Sequence, residues 1–260
     1  MPGLPAPAER LALLSEEARK HAGKTRPPVD AATLILIDRK GREPRMLMGR
    51  RHANHRFMPD VFVFPGGRSE AGDSRMPEAN PLAPETLAAL MLASPRANPT
   101  RMRRLALAAI RETFEETGLV IGQKGPPPVG LKGPWAEFAQ TGHLPDLSQL
   151  TYIARAITPP RRPKRFDTRF FVADAAAVAF EVAGIVTPES ELTELAWLTF
   201  GETEKLPLPV ITRVMLGELR SWLDAKAQQA TVPIPFYFER FGRMQRVLID
   251  QNGAAGSGPL

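Results

Sequence analysis

Apolar positions along this chain fall into short blocks, and their spacing changes from one block to the next. AATLILID at 31–38 is a continuous apolar run with β-branched members, bounded by Pro-Pro upstream and Lys-Gly downstream. That pattern predicts a buried strand. RMLMGRR at 45–51 reads as its hairpin partner across RKGREP, and VFVFPGG at 61–67 as a third strand ended by a Gly-Gly turn. Elsewhere the spacing is helical. Residues 6–22 read as a short amphipathic helix, 84–93 as another, and 101–117 as a long one with Gly118 at its C-terminal end, where glycine is the favoured cap. PWAEFAQTG at 134–142 reads as a further short helix. LTYIARAITP, RFDTRFFVADA and LTELAWLTF read as strands, 207–223 as a helix, and IPFYFERFG with MQRVLID as closing strands. The succession β, β, β, α, β, β, β, α predicts an α/β fold, a mixed sheet with helices on both faces.

Composition changes this picture little. The 43% hydrophobic content is enough for a core, and prolines cluster in joints such as GPPPVGLKGP and TPPRRPK. NGAAGSGPL at the C-terminal end reads as a flexible tail. No uncharged apolar run reaches membrane-spanning length, and the first residues lack signal-peptide order. Cysteine is absent, which excludes disulfides and thiolate metal sites and fits a cytoplasmic location. The net charge of +6 suits solubility and also anionic partners.

The chemistry concentrates in RETFEETGLV at 111–120. Glu112, Glu115 and Glu116 share one helix face, and Leu107, Ile110 and Phe114 fall roughly opposite. One side would dock on the core while the other presents three carboxylates, whose repulsion needs compensation. Two readings stand: a solvated acidic face near Arg104 and Arg111, or a hard divalent cation held by carboxylate oxygen.

GGRSEAGD at 66–73 together with RETFEETGL resembles the Nudix box, G-x5-E-x7-R-E-U-x-E-E-x-G-U, with U aliphatic. Gly67, Arg111, Glu112, Glu115, Glu116, Gly118 and Leu119 match. Asp73 stands where the first Glu is usual, Thr113 replaces an aliphatic residue, and about thirty extra residues separate the halves. An interrupted box is similar to the subfamily of the peroxisomal Nudix-type coenzyme A diphosphatase and its bacterial relatives. A looser match to the signature L-L-T-x-R-S-x3-R-x3-G-x3-F-P-G-G puts Arg51 and Arg56 on its arginines, while Gly49, His52 and Asp60 depart from it. The resemblance covers residues 28–225.

The resemblance implies a Nudix α/β/α sandwich at 28–225 with a helical insertion at about 74–104, an N-terminal helical extension at 1–27, and a C-terminal strand region and tail at 226–260. It implies a Mg²⁺- or Mn²⁺-dependent diphosphatase that splits coenzyme A or acyl-CoA. Glu112, Glu115 and Glu116 would be metal ligands, and Arg111 would orient a carboxylate. A general base is sought among Glu189, Glu191, Glu194 and the box glutamates, with Glu191 favoured. Gly66 and Gly67 would let the backbone approach substrate, and Arg51, Arg56 and Arg68 would meet its phosphates, with Arg50 a further candidate. RRPKR at 161–165 reads first as a solvated loop and second as a phosphate contact. Trp135, Trp197 and Trp222 read as core. The alternatives are a Nudix hydrolase for ADP-ribose, NADH or an oxidised dNTP, and a non-catalytic nucleotide- or RNA-binding module. A homodimer is expected by analogy alone, and neither a membrane nor a nucleic-acid partner is expected.

Overall fold

The computed structural model describes residues 4–20, 23–53, 59–94, 97–228 and 231–249. Helix α1 (Pro7–Arg19) precedes strands β1 (Val29–Asp38), β2 (Arg45–Arg51), β3 (Phe62–Val63) and β4 (Gly66–Arg68). Helices α2 (Pro84–Met91) and α3 (Pro99–Thr117) follow, then β5 (Leu119–Lys124), α4 (Pro134–Gln140), β6 (His143–Pro145), β7 (Thr151–Ile157), β8 (Phe166–Asp174) and β9 (Val178–Glu181). The chain closes through β10 (Leu192–Thr199), α5 (Phe200–Thr203), α6 (Val210–Lys226), β11 (Ile234–Arg240) and β12 (Arg243–Ile249). The expected flexible tail lies outside the described residues.

Strand β1 explains the architecture. Its Ala32, Leu34 and Leu36 enter one core with residues of α2, α3 and α4, while Ile35 and Ile37 enter another with residues of α1 and α6. A strand covered on both faces has no reason to alternate, which is why the run is apolar throughout. The sheet runs β10-β2-β1-β8-β7-β11-β12, with β3 added to β2 and β4 to β1. Strands β1 and β8 are parallel from Val29↔Phe166 to Ile37↔Asp174, β7 and β11 are parallel, and the other pairs are antiparallel. The mixed sheet between two helical layers agrees with the expected α/β/α sandwich, and the β1–β2 hairpin forms as read.

Several elements differ from the sequence reading. The strand expected at 61–67 is two fragments, one on each neighbour, because Pro65 interrupts it and turns its carbonyl to the amide of Leu34. A second, three-stranded sheet, β6-β5-β9, was not expected. Its strands are short, and one contains Pro145, so they carry little pattern. Helix α3 is buried on more than one side: Ala106, Ala108, Ala109, Thr113 and Thr117 are covered along with the predicted apolar stripe. Both termini pack on the same body. Arg10 of α1 pairs with buried Glu218 of α6 at 3.0 Å, and β11 and β12 extend the central sheet.

The insertion is part of the core as well. Met76, Leu82, Ala89, Leu90 and Met102 are buried in the α3-side cluster. Buried Arg155 grips Asp167 with two bonds of 2.7 Å and also donates to the carbonyl of Ala93, tying the end of α2 to the sheet. Two sequence signals set the limits of α3. Asn98 caps it by accepting from the amide of Arg101 at 2.9 Å, ahead of Pro99 in the first turn. Gly118 ends it in the left-handed region, at φ 76°, and a Cβ there would lie 2.3 Å from the carbonyl oxygen of Val182. Gly118→Ala should therefore cost about 2 kcal/mol or more of unfolding free energy, read by urea denaturation.

Candidate active site

The last turn of α3 meets strand β4 at one end of a cavity of about 440 Å³. Gly66 and Gly67 pair with Thr33 and Ala32 of β1, which fixes their backbone against the sheet. A Cβ on Gly67 would stand 2.4 Å from the carboxyl carbon of Glu112, and one on Gly66 would stand 2.6 Å from Thr33 Oγ1. Close approach to the β1 backbone thus requires glycine at 66, and at 67 its absence of a side chain lets the Glu112 carboxylate pack directly on main chain. The Gly66 amide donates to Glu116 Oε2 at 3.1 Å.

Arg111 joins the two halves of the box. Its Nε donates to Asp73 Oδ1 at 2.7 Å and its Nη2 reaches Asp73 Oδ2 at 3.4 Å. Nη2 also donates to the Arg68 carbonyl at 2.8 Å, while Nη1 donates to Glu112 Oε1 at 2.9 Å and Glu115 Oε1 at 2.6 Å. Burial works against this guanidinium's charge, yet the Asp73 bond and the facing carboxylates hold its pKa well above the usual value. Asp73, fully buried, spends its remaining capacity on the Trp135 indole N–H at 2.9 Å and the Glu70 amide at 2.7 Å. The shorter acid thus reaches Arg111 without strain on the contact.

The three glutamates do not converge on one point. Glu115 is occupied by Arg111, whereas Glu112 and Glu116 line the cavity together with Glu191. Among the described residues no three acidic or histidine side chains stand already drawn together around an ion position. The donor chemistry nevertheless fits a divalent cation. Burial, then repulsion from Glu115 and Glu191, pushes Glu112 up to about 7 despite Arg111. Burial, then Glu191 and Glu112, pushes Glu116 well above the carboxylate range. Burial likewise raises Glu115. Carboxylates held in this way are all-oxygen donors short of positive charge, the condition that a hard cation relieves.

Glu191, of the three late acids, lines the cavity, with Arg51 Nη2 3.6 Å from its Oε1. Glu189 is exposed, and Glu194 lies on β10 at 4.0 Å from Arg50. Arg51 and Arg68 line the cavity, the latter at its exposed rim and paired with Glu70. Arg50 binds Asp60 instead, and Arg56 lies outside the described residues. Trp135 and Trp222 are buried as expected, but Trp197 is 37% exposed because β10 is an edge strand.

Sequence reasoning missed or underweighted several contributors. Asp73 and Trp135 support Arg111, and only the break in the box motif hinted at the first. Leu14 and Glu17 bring α1 to the cavity wall, with no motif to announce it. Arg162, in the stretch read as a solvated loop, is buried and lines the cavity together with Lys164. Asp73→Ala should cost about 3–5 kcal/mol in chemical denaturation by removing a buried partner of Arg111 and leaving its Nε and the Trp135 indole N–H without an acceptor. Trp135→Phe, which removes one hydrogen bond to Asp73, should cost about 1–2 kcal/mol.

No family model matches the chain. A Caenorhabditis elegans protein that carries the provisional name nudix hydrolase 7 is 26% identical over 212 residues, 74% of this chain and 61% of that protein. The chain thus spans about three fifths of that relative's length. The crystal structure of a Nudix hydrolase from Alicyclobacillus acidocaldarius is 25% identical, with a TM-score of 0.57, covering 79% of this chain and 97% of that one. By its fold, its interrupted box and these two likenesses, the chain is similar to the Nudix hydrolases, and that superfamily is the one the comparisons support.

Proposed function

We propose that this protein is a metal-dependent diphosphatase whose substrate is coenzyme A or an acyl-CoA, cleaved to phosphopantetheine species and adenosine 3′,5′-bisphosphate. The observation that carries the reading is the placement of half-buried Glu112 and buried Glu116, both with raised pKa, against the side-chain-free backbone of Gly66 and Gly67 at the end of a cavity. The absence of a side chain on Gly67 leaves room for the Glu112 carboxylate at the cavity wall, where a Cβ would displace it.

Glu112 and Glu116 would hold the cation, Mg²⁺ or Mn²⁺. When bound, it offsets charge developing on the diphosphate oxygens and makes water a better nucleophile. The chain's own residues supply the rest. Arg111 fixes the carboxylates by holding Glu112 and Glu115 from one side. Glu191, at the cavity wall beside Arg51, is the group placed to accept a proton from the attacking water. Arg51 and Arg68 supply positive charge toward the phosphates. Apolar walls contributed by Phe64, Phe170 and Met244 suit a substrate with an extended non-polar portion and favour coenzyme A over smaller diphosphates.

Purified protein with Mg²⁺ or Mn²⁺ should hydrolyse coenzyme A in preference to ADP-ribose, NADH and 8-oxo-dGTP, with products identified by chromatography. Preferred turnover of another member of that panel would replace the substrate assignment, and no turnover of any would favour a binding module. Glu112→Gln and Glu116→Gln should each lower kcat by about a hundredfold or more with an unchanged circular dichroism spectrum. Millimolar Mn²⁺ should raise the Tm of the wild type, and Glu116→Gln should lose most of that gain. An equal shift in the variant would remove Glu116 from the metal site.

A further inference from the structure

The cavity extends well beyond the glutamate end. Strand β4 sets Gly66 opposite Thr33 of β1, while Phe166, at the start of β8, stands opposite Val29. The two levels are four residues apart on β1, roughly 13 Å at the usual strand rise. At the Phe166 level the cavity is lined by Arg162 and Lys164 from the β7–β8 connection and by Glu17 of α1. Apolar side chains of Leu14, Ile157, Phe170 and Ile211 line the cavity as well. Glu112, Glu116 and Glu191 thus lie toward one end, and Arg162 and Lys164 toward the other.

Arg162 is the unusual member. It is 8% exposed, and among the described residues its ion pair runs from Nη2 to Glu17 Oε1 at 2.9 Å. Its buried Nε has no acceptor among the described residues. Leaving such a donor unsatisfied is costly, more so on a charged group. Glu17 is also shared with Lys20, at 3.2 Å, so one carboxylate faces two cations while Lys164 adds a third positive group nearby. A buried guanidinium with an unused donor beside a cavity-lining lysine suits a tetrahedral oxyanion, which offers several acceptors at once.

We propose that Arg162 and Lys164 form an anion subsite that receives a second phosphate of the substrate, a phosphomonoester separate from the diphosphate that is cleaved. The inference rests on the diphosphatase reading and narrows it to nucleotides that carry such an extra phosphate. Arg162 is a binding and specificity residue in this scheme, outside the bond-breaking machinery. It would make the protein discriminate coenzyme A from dephospho-coenzyme A by charge recognition at a distance from the scissile bond.

Calorimetric titration of the full chain with adenosine 3′,5′-bisphosphate and with AMP tests the subsite without turnover. The wild type should bind the bisphosphate about tenfold or more tightly. Arg162→Gln and Lys164→Gln should each erase most of that preference while leaving AMP affinity near the wild-type value. Glu17→Gln, which removes the partner and keeps the cation, should retain the preference. If Glu17→Gln behaves like Arg162→Gln, Arg162 serves only to hold α1, and the subsite is overturned; Lys164→Gln decides the matter should Arg162→Gln fail to fold. No preference in the wild type also overturns it. Turnover of coenzyme A and dephospho-coenzyme A separates the two readings. Equal kcat/KM for both in the wild type and in Lys164→Gln sinks the subsite and leaves the diphosphatase. An intact bisphosphate preference with no hydrolysis of either sinks the diphosphatase and leaves the subsite.

Discussion

One buried guanidinium holds the site together. Arg111 touches Arg68 and Asp73 on one side of a long insertion and Glu112 and Glu115 on the other, so two stretches far apart in sequence become one surface. Planar geometry with five donors permits this, since a lysine could not serve four acceptor groups in fixed directions. The arrangement also answers the electrostatic problem posed by three glutamates on one helix end. Arg111 donates to the outer pair and offsets part of their charge, and Asp73 secures Arg111 from behind with help from the Trp135 indole. Glu116 receives only a backbone amide in this network, so the inner end of the acidic ridge stays short of charge.

The sheet turns that local arrangement into a cavity. Strand β1 carries β4 on one edge and β8 along the other, so the glycines and the β7–β8 connection open onto the same space at different levels. Helices α1 and α6 provide the opposite wall, and residues from near both ends of the described chain, Leu14 and Met244, contribute to it. The N-terminal helix is tied down by polar contacts as much as by packing. Arg10 reaches buried Glu218, which also receives the Tyr237 hydroxyl and Arg246. Removing a single partner would weaken a buried charge network, so this anchor is sensitive to single substitutions.

Much was legible in particular residues. The unbroken apolar run 31–38 announced a buried strand, Gly118 marked the end of the long helix, and the spacing of Arg111, Glu112, Glu115 and Glu116 identified the box. These signals are local: backbone conformation, capping and same-face spacing depend on neighbours within a few residues. Other features left no such trace. The short strands β5, β6 and β9 are too brief for periodicity to register, and Pro65 splits a strand that its apolar neighbours suggested was whole. Sequence alone determined the superfamily box, the central strands and the glycines that let a carboxylate lie on main chain. Only the tertiary structure decided that Glu115 belongs to Arg111 while Glu112 and Glu116 face the cavity, that Asp73 is a buried support, and that Arg162 is an interior cation. The reason is physical: whether a charged side chain keeps its water, and which partner replaces that water, is set by chain segments distant in sequence that come to lie against it.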